Sequence, residues 1–220
     1  MQDKALHQDL RRIITLYLTW LGFIGIWLMI FLVDKFPVRL SFVSQENLFY
    51  CVLEIKLFFI LFIWPLFIPG ILRSNYPETS KGKVHILLLQ IVALLIFAFP
   101  LAMVCVNLSN TSIELFLKGI FVCLVMAIFV ASVFNLASIY RFQITSWYYL
   151  FILCISCAPF LYYIGLEYFR SEWEGFLLAS PFFVMLRLEG IEWIPPIAIF
   201  AIISCAFLLG AELSRKRVSI

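Results

Sequence analysis

Six apolar stretches, at residues 13–33, 48–72, 84–106, 115–138, 147–166 and 193–213, fill most of this 220-residue chain. Each runs for about 20 residues, the length at which a helix crosses a hydrocarbon core of about 30 Å. Hydrophobic residues make up 64% of the chain and charged ones only 13%, so what lies between the stretches is too short for a soluble domain. The stretches are continuously apolar rather than alternating. In lipid every backbone N–H and C=O must be satisfied internally, which favours helices over barrel strands here. The expected fold is all-α and polytopic, with six transmembrane helices in one domain over residues 1–220.

Charge orients these spans. Residues 1–12, MQDKALHQDLRR, place Ala5, Leu6 and Leu10 on one helical face and predict an interfacial helix leading into the first span. The first span lacks a small-residue cleavage site after it and is expected to persist as a helix. With the N-terminus inside, Lys4, Arg11, Arg12, Arg73, Lys81, Lys83, Arg141, Arg215, Lys216 and Arg217 are cytoplasmic, ten in all, against four outside, Lys35, Arg39, Arg170 and Arg187. That bias places both termini in the cytoplasm and the chain in the cytoplasmic (inner) membrane, surrounded by lipid. The net charge of +3 is accounted for by topology, and no basic stripe with interleaved aromatics points to nucleic acid. Trp20, Trp147, Trp173, Trp193, Tyr148 and Tyr149 fall mostly near span ends and read as interfacial anchors.

The connections differ in what they can hold. The loop at 34–47 is too short to be a domain, and those at 107–112 and 141–146 have no room for an active site. The second span ends in WPLFIPGILRSNYPETSKGK, where Pro65, Pro69 and Gly70 loosen the helix and residues 73–83 form a compact polar turn. Outside, between the fifth and sixth spans, lies EYFRSEWEGFLLASPFFVMLRLEGIE. Its apolar part, residues 175–188, is too short to cross and predicts a re-entrant hairpin: a helix, a break at Ser180-Pro181 and a second short helix. Glu167, Glu172, Glu174, Glu189 and Glu192 against Arg170 and Arg187 make the rim of this segment acidic; solvated loop charge is the plain reading, and an external gate or a docking surface for a periplasmic or extracellular component is the functional one.

Ionisable groups inside a membrane are costly and are functional candidates by default. Glu54 and Lys56 lie near the outer end of the second span, two residues apart and so on different faces. Snorkelling to the interface is the plain reading; the alternative is that one lines a polar route and pairs across helices. Glu114 and Lys118 stand in the favoured acid-before-base order for an i,i+4 pair. Gln90, Asn107 and Asn135 read as interhelical hydrogen-bonding glue, with Gln90 and Asn135 kept as intramembrane polar candidates. The six cysteines, including the pair Cys154 and Cys157, read as small packing residues rather than disulfides or metal ligands, since His7 and His85 are the only histidines. No mid-bilayer histidine, glycine-rich nucleotide loop or paired carboxylates appear. The chain is therefore expected to carry no catalytic residue, no metal and no cofactor.

The layout resembles the membrane subunit of type-2 ABC exporters, permeases that pair with a separate ATPase. The stretches that carry the resemblance are MQDKALHQDLRR, RSNYPETSKGKVHILLLQ, and GFLLASPFFVMLRL followed by WIPPIAIFAIISCAFLLGAELSRKR. The resemblance implies ATPase contacts at Arg73, Glu78, Lys81, Gly82 and Lys83, and an external gate at Glu172, Glu174, Ser180, Pro181 and Arg187. It also implies a nucleotide-binding partner subunit, a second permease copy, and room for a periplasmic or extracellular component. The alternative is a non-catalytic anchor or assembly subunit of a larger respiratory or secretion complex. A channel or secondary carrier fits less well, because the spans lack a polar pore stripe.

Overall fold

A computed structural model describes residues 11, 14–15, 17–19, 21–22, 25–26, 45–73, 80–97, 99–108, 111–140, 142, 144–160, 162, 164, 177 and 179–218. Among these the elements are all helical: α1 (Gln45–Phe58), a π-helical turn (Phe59–Ile63), a 3-10 turn (Trp64–Leu66), α2 (Ile68–Arg73), α3 (Ser80–Phe97), α4 (Phe99–Leu108), α5 (Ile113–Ile139), α6 (Thr145–Ser156), α7 (Pro181–Leu186) and α8 (Ile194–Val218).

α5 is the axle of the molecule. Its apolar sequence carries no proline, and Ser112 caps it by accepting a hydrogen bond from the Leu115 N–H at 3.2 Å. The Glu114 carboxylate meets the Lys118 ammonium at 2.8 Å one turn along, as the acid-before-base spacing predicts. α1, α2, α3, α8 and the π turn all pack on α5. Small side chains make that crowding possible. At Gly119 a Cβ would run into the end of the Leu53 side chain of α1, which fills the space that a larger residue would take. Ser132 returns its hydroxyl to the Phe129 carbonyl, which leaves α5 no polar atom there to satisfy elsewhere.

The six expected spans are not equally continuous. Two helices are long and apolar enough to cross a membrane among the described residues, α5 and Ile194–Ser214 of α8. The second expected span is interrupted by the π and 3-10 turns from Phe59 to Leu66, where Pro65 removes a backbone donor. The fifth stops at Ser156, and a turn at Cys157 precedes Pro159 and a further helical turn at 158–160. The third is described as α3 and α4, on either side of residue 98. Most of the first span and the proposed interfacial helix lie outside the described residues. Those described between 11 and 26 are helical, and Tyr17 is buried with its ring 4.7 Å from that of Phe59.

The segment before α8 breaks where the sequence predicts. Ser180 is extended, with φ −80° and ψ 119°, and Pro181 opens α7, which folds against α1 and α6. Of the helix expected ahead of the break, Leu177 is described, and it is helical. Turns through Gly190 then lead into α8, whose Pro195 and Pro196 sit in the first turn, where their missing N–H groups cost nothing.

Candidate functional site

The interruption between α1 and α2 brings together Trp64, Gln90 of α3, and Tyr148 and Tyr149 of α6. In a regular helix each carbonyl accepts from the N–H four residues on. Pro65 has no N–H, so the Leu61 carbonyl loses its ordinary donor. The 3-10 turn Trp64–Leu66 pairs N–H groups three residues back instead, as Phe67 N–H does with Trp64 O at 3.0 Å, and this deprives the Phe62 carbonyl as well. Both vacancies are filled from α6: the Tyr148 hydroxyl donates to Leu61 O at 2.9 Å and the Tyr149 hydroxyl to Phe62 O at 2.8 Å. An unsatisfied carbonyl in an apolar interior costs on the order of 1–3 kcal/mol, so each of these hydroxyls offsets a cost of that order.

Three other elements converge on the same turn. Trp64, fully buried, donates its indole N–H to Gln90 Oε1 of α3 at 3.4 Å. The Gln90 amide nitrogen, buried as well, finds no hydrogen-bond partner among the described residues. Phe62 stacks on Phe182 of α7 and on Tyr149, both at 6.5 Å between ring centroids, and on Phe58 at 4.9 Å. Tyr17 closes the site against Phe59. One turn above, Lys56 is only 4% exposed, with its ammonium 5.9 Å from the Phe116 ring centroid and within electrostatic range of the Cys123 thiol. It does not snorkel outward, because its position on α1 turns it toward α5 while Glu54, about 200° away around the helix, stays half-buried.

The remaining predicted positions are spread out. Arg73 ends α2, and Lys81, Gly82 and Lys83 lie in the first turn of α3, so the backbone brings them to the two ends of one connection. Glu78, Glu172 and Glu174 lie outside the described residues. Ser180 is buried at the break before α7, and its hydroxyl has no hydrogen-bond partner among the described residues. Pro181 is buried beside it, whereas Arg187 is exposed, 5.3 Å from the Phe183 ring and 3.6 Å from Glu192. Asn135 is buried within α5, and its carbonyl accepts from the Ser138 hydroxyl at 2.8 Å.

Two readings of residue type are corrected. Tyr148 is not an interfacial anchor: it is buried against Phe134, at 5.0 Å between centroids, and its hydroxyl serves the backbone. Its neighbour Trp147 points outward. Cys154, Cys157 and Cys205 are exposed free thiols rather than packing residues, and of the free cysteines only Cys123 is buried among the described residues.

In the structure the polar groups at the turn brace an interrupted stretch of helix. They are phenols, an indole and an amide: the Tyr148 and Tyr149 hydroxyls serve backbone carbonyls and the Trp64 indole serves Gln90 Oε1. Among the described residues no three His, Cys, Asp or Glu groups come together in a way that could hold a metal ion. Comparison with models of protein families, with curated proteins and with solved structures gave no match.

Proposed function

We propose that the chain is the permease subunit of an ABC exporter, embedded in the cytoplasmic membrane with both termini inside and driven by a separate ATPase. In this reading the six apolar stretches all cross, the second and fifth as interrupted helices. Two permease copies form the route, with ATPase contacts at Arg73, Glu78, Lys81, Gly82 and Lys83. The observation that carries it is α7, a short apolar helix that starts at the Ser180 break, folds back on α1 and α6, and leads through the turns at 187–193 into the long last helix. That is the placement expected of an external hairpin with Ser180, Pro181 and Arg187 on it. No step of ATP chemistry falls to this chain; ATP-driven closure of the partner would act through the α2–α3 connection.

Recovery of the tagged full-length chain in mild detergent, followed by mass spectrometry, tests the reading. A nucleotide-binding subunit is expected, and the reconstituted pair should hydrolyse ATP faster with substrate than without. Recovery of respiratory or secretion subunits with no nucleotide-binding partner overturns it in favour of the anchor.

A further inference from the structure

We propose that the stretch from Phe59 to Leu66 is a two-position hinge. The Tyr149 hydroxyl holds its tightened position by occupying the carbonyl that the Leu66 N–H takes in the ordinary helical one. The two tyrosines are adjacent in sequence but differ in what their loss would permit. Leu61 O, served by Tyr148, has no donor in the ordinary helical register, because the residue four positions on is Pro65. Tyr148 is therefore a fixed staple. Phe62 O, served by Tyr149, does have an alternative: residue 66 is a leucine with an N–H, at present directed three residues back in the 3-10 turn. Without the Tyr149 hydroxyl, Phe62 regains a donor if Leu66 N–H moves from Ile63 to Phe62. That move converts the tightened turn into ordinary helix.

The conversion has a definite mechanical size. Over the three residues Trp64–Leu66, going from about 120° to about 100° per residue rotates the downstream chain by ~60°, and the rise shortens by ~1.5 Å. Downstream lies α2, a helix of only six residues ending at Arg73, at the start of the connection to α3. The upstream helix, α1, is anchored by Leu53, Lys56 and Leu57, buried where it packs on α5. The hinge is also read from the outer side, since Phe62 stacks at once on Tyr149 and on Phe182 of α7. A change at Phe62 O therefore reaches both the 73–83 connection and the segment at Ser180. The hinge is a property of the chain whether it transports or anchors.

The test uses the full-length chain in lipid nanodiscs, with Cys51, Cys105, Cys123, Cys154, Cys157 and Cys205 replaced by alanine and spin labels at Arg73→Cys and Ser138→Cys. Ser138 is exposed near the end of α5, which supplies the fixed frame. Two distance components are expected in this parent, which tests the hinge with no substitution at the break. Tyr149→Phe should change their ratio roughly fivefold, the effect of one net hydrogen bond. Tyr148→Phe should leave the ratio unchanged and lower the thermal midpoint instead. A single component in both the parent and Tyr149→Phe overturns the hinge, as does an equal shift from the two tyrosine variants, which is what a merely structural pair of hydroxyls would give.

Discussion

α5 and α8 are the two helices of spanning length among the described residues, both almost wholly apolar, yet 72% of the apolar stretch of α5 is buried against 28% for α8. Ridges on α5 meet neighbours on nearly every side. α8 meets α5 along one face, where Ile197, Phe200, Ser204 and Ala211 are buried, and turns Ile199, Ile202, Leu209 and Leu213 outward. Apolar composition alone therefore does not say which helix is the centre. In a bilayer the distinction is physical: lipid tails solvate an outward leucine as well as protein does, so stability comes from fitted contacts rather than from escape from water. Substitutions on α5 should be expensive and equivalent ones on the outer face of α8 nearly silent.

The largest effect is expected at Phe116. Its ring is fully buried, with centroids 5.7 Å from Phe99 and 6.5 Å from Phe49, and the Lys56 ammonium faces it. Phe116→Ala should cost about 3–5 kcal/mol through the cavity it leaves, measured as unfolding in mild detergent. Ile202→Ala, on the outward face of α8, should stay within about 0.5 kcal/mol. Equal losses from the two would erase the distinction between the helices.

Gly119→Val comes next. The added side chain meets Leu53 of α1, and overpacking of this kind costs about 1–3 kcal/mol. Because the obstacle is the end of one flexible side chain, Gly119→Val should cost less in a Leu53→Ala background than in the parent, a recovery read from the double-mutant cycle. Absence of any recovery would mean that the α1–α5 approach is limited by backbone rather than by Leu53.

These contrasts bear on what could be read from the sequence. The all-helical build of the described elements was legible, because continuous apolar runs in lipid leave no other regular way to satisfy the backbone. The Glu114–Lys118 pair and the break at Ser180 were legible too, since each depends on residues within one turn of one another. The centrality of α5 was not, because a helix apolar all round carries no polar face to mark its outside. The site was half legible. Pro65 announced a missing donor, but the compensating hydroxyls come from 87 residues away. Nothing local separates Tyr148, which serves the interior, from Trp147, about 100° around the same helix and facing out. Lys56 is hidden for the same reason: whether a long cationic side chain snorkels or turns inward depends on what lies opposite.

The smallest predicted effect carries the opposite sign. Gly210 lies inside α8, and a Cβ built there meets nothing within 4 Å, in contrast to Gly119. Glycine in a helix interior is less favourable than alanine by about 0.8–1.0 kcal/mol, chiefly through backbone freedom lost on folding. Gly210→Ala should therefore stabilise the isolated chain by up to about 1 kcal/mol, seen as a higher thermal midpoint in detergent. The same measurement in the assembled complex sharpens the comparison. If α8 faces only lipid, the gain persists on assembly. If a partner helix lies against Gly210, the added methyl removes the close approach and the gain is lost or reversed, which would place the second half of the α8 surface at an interface rather than in the bilayer.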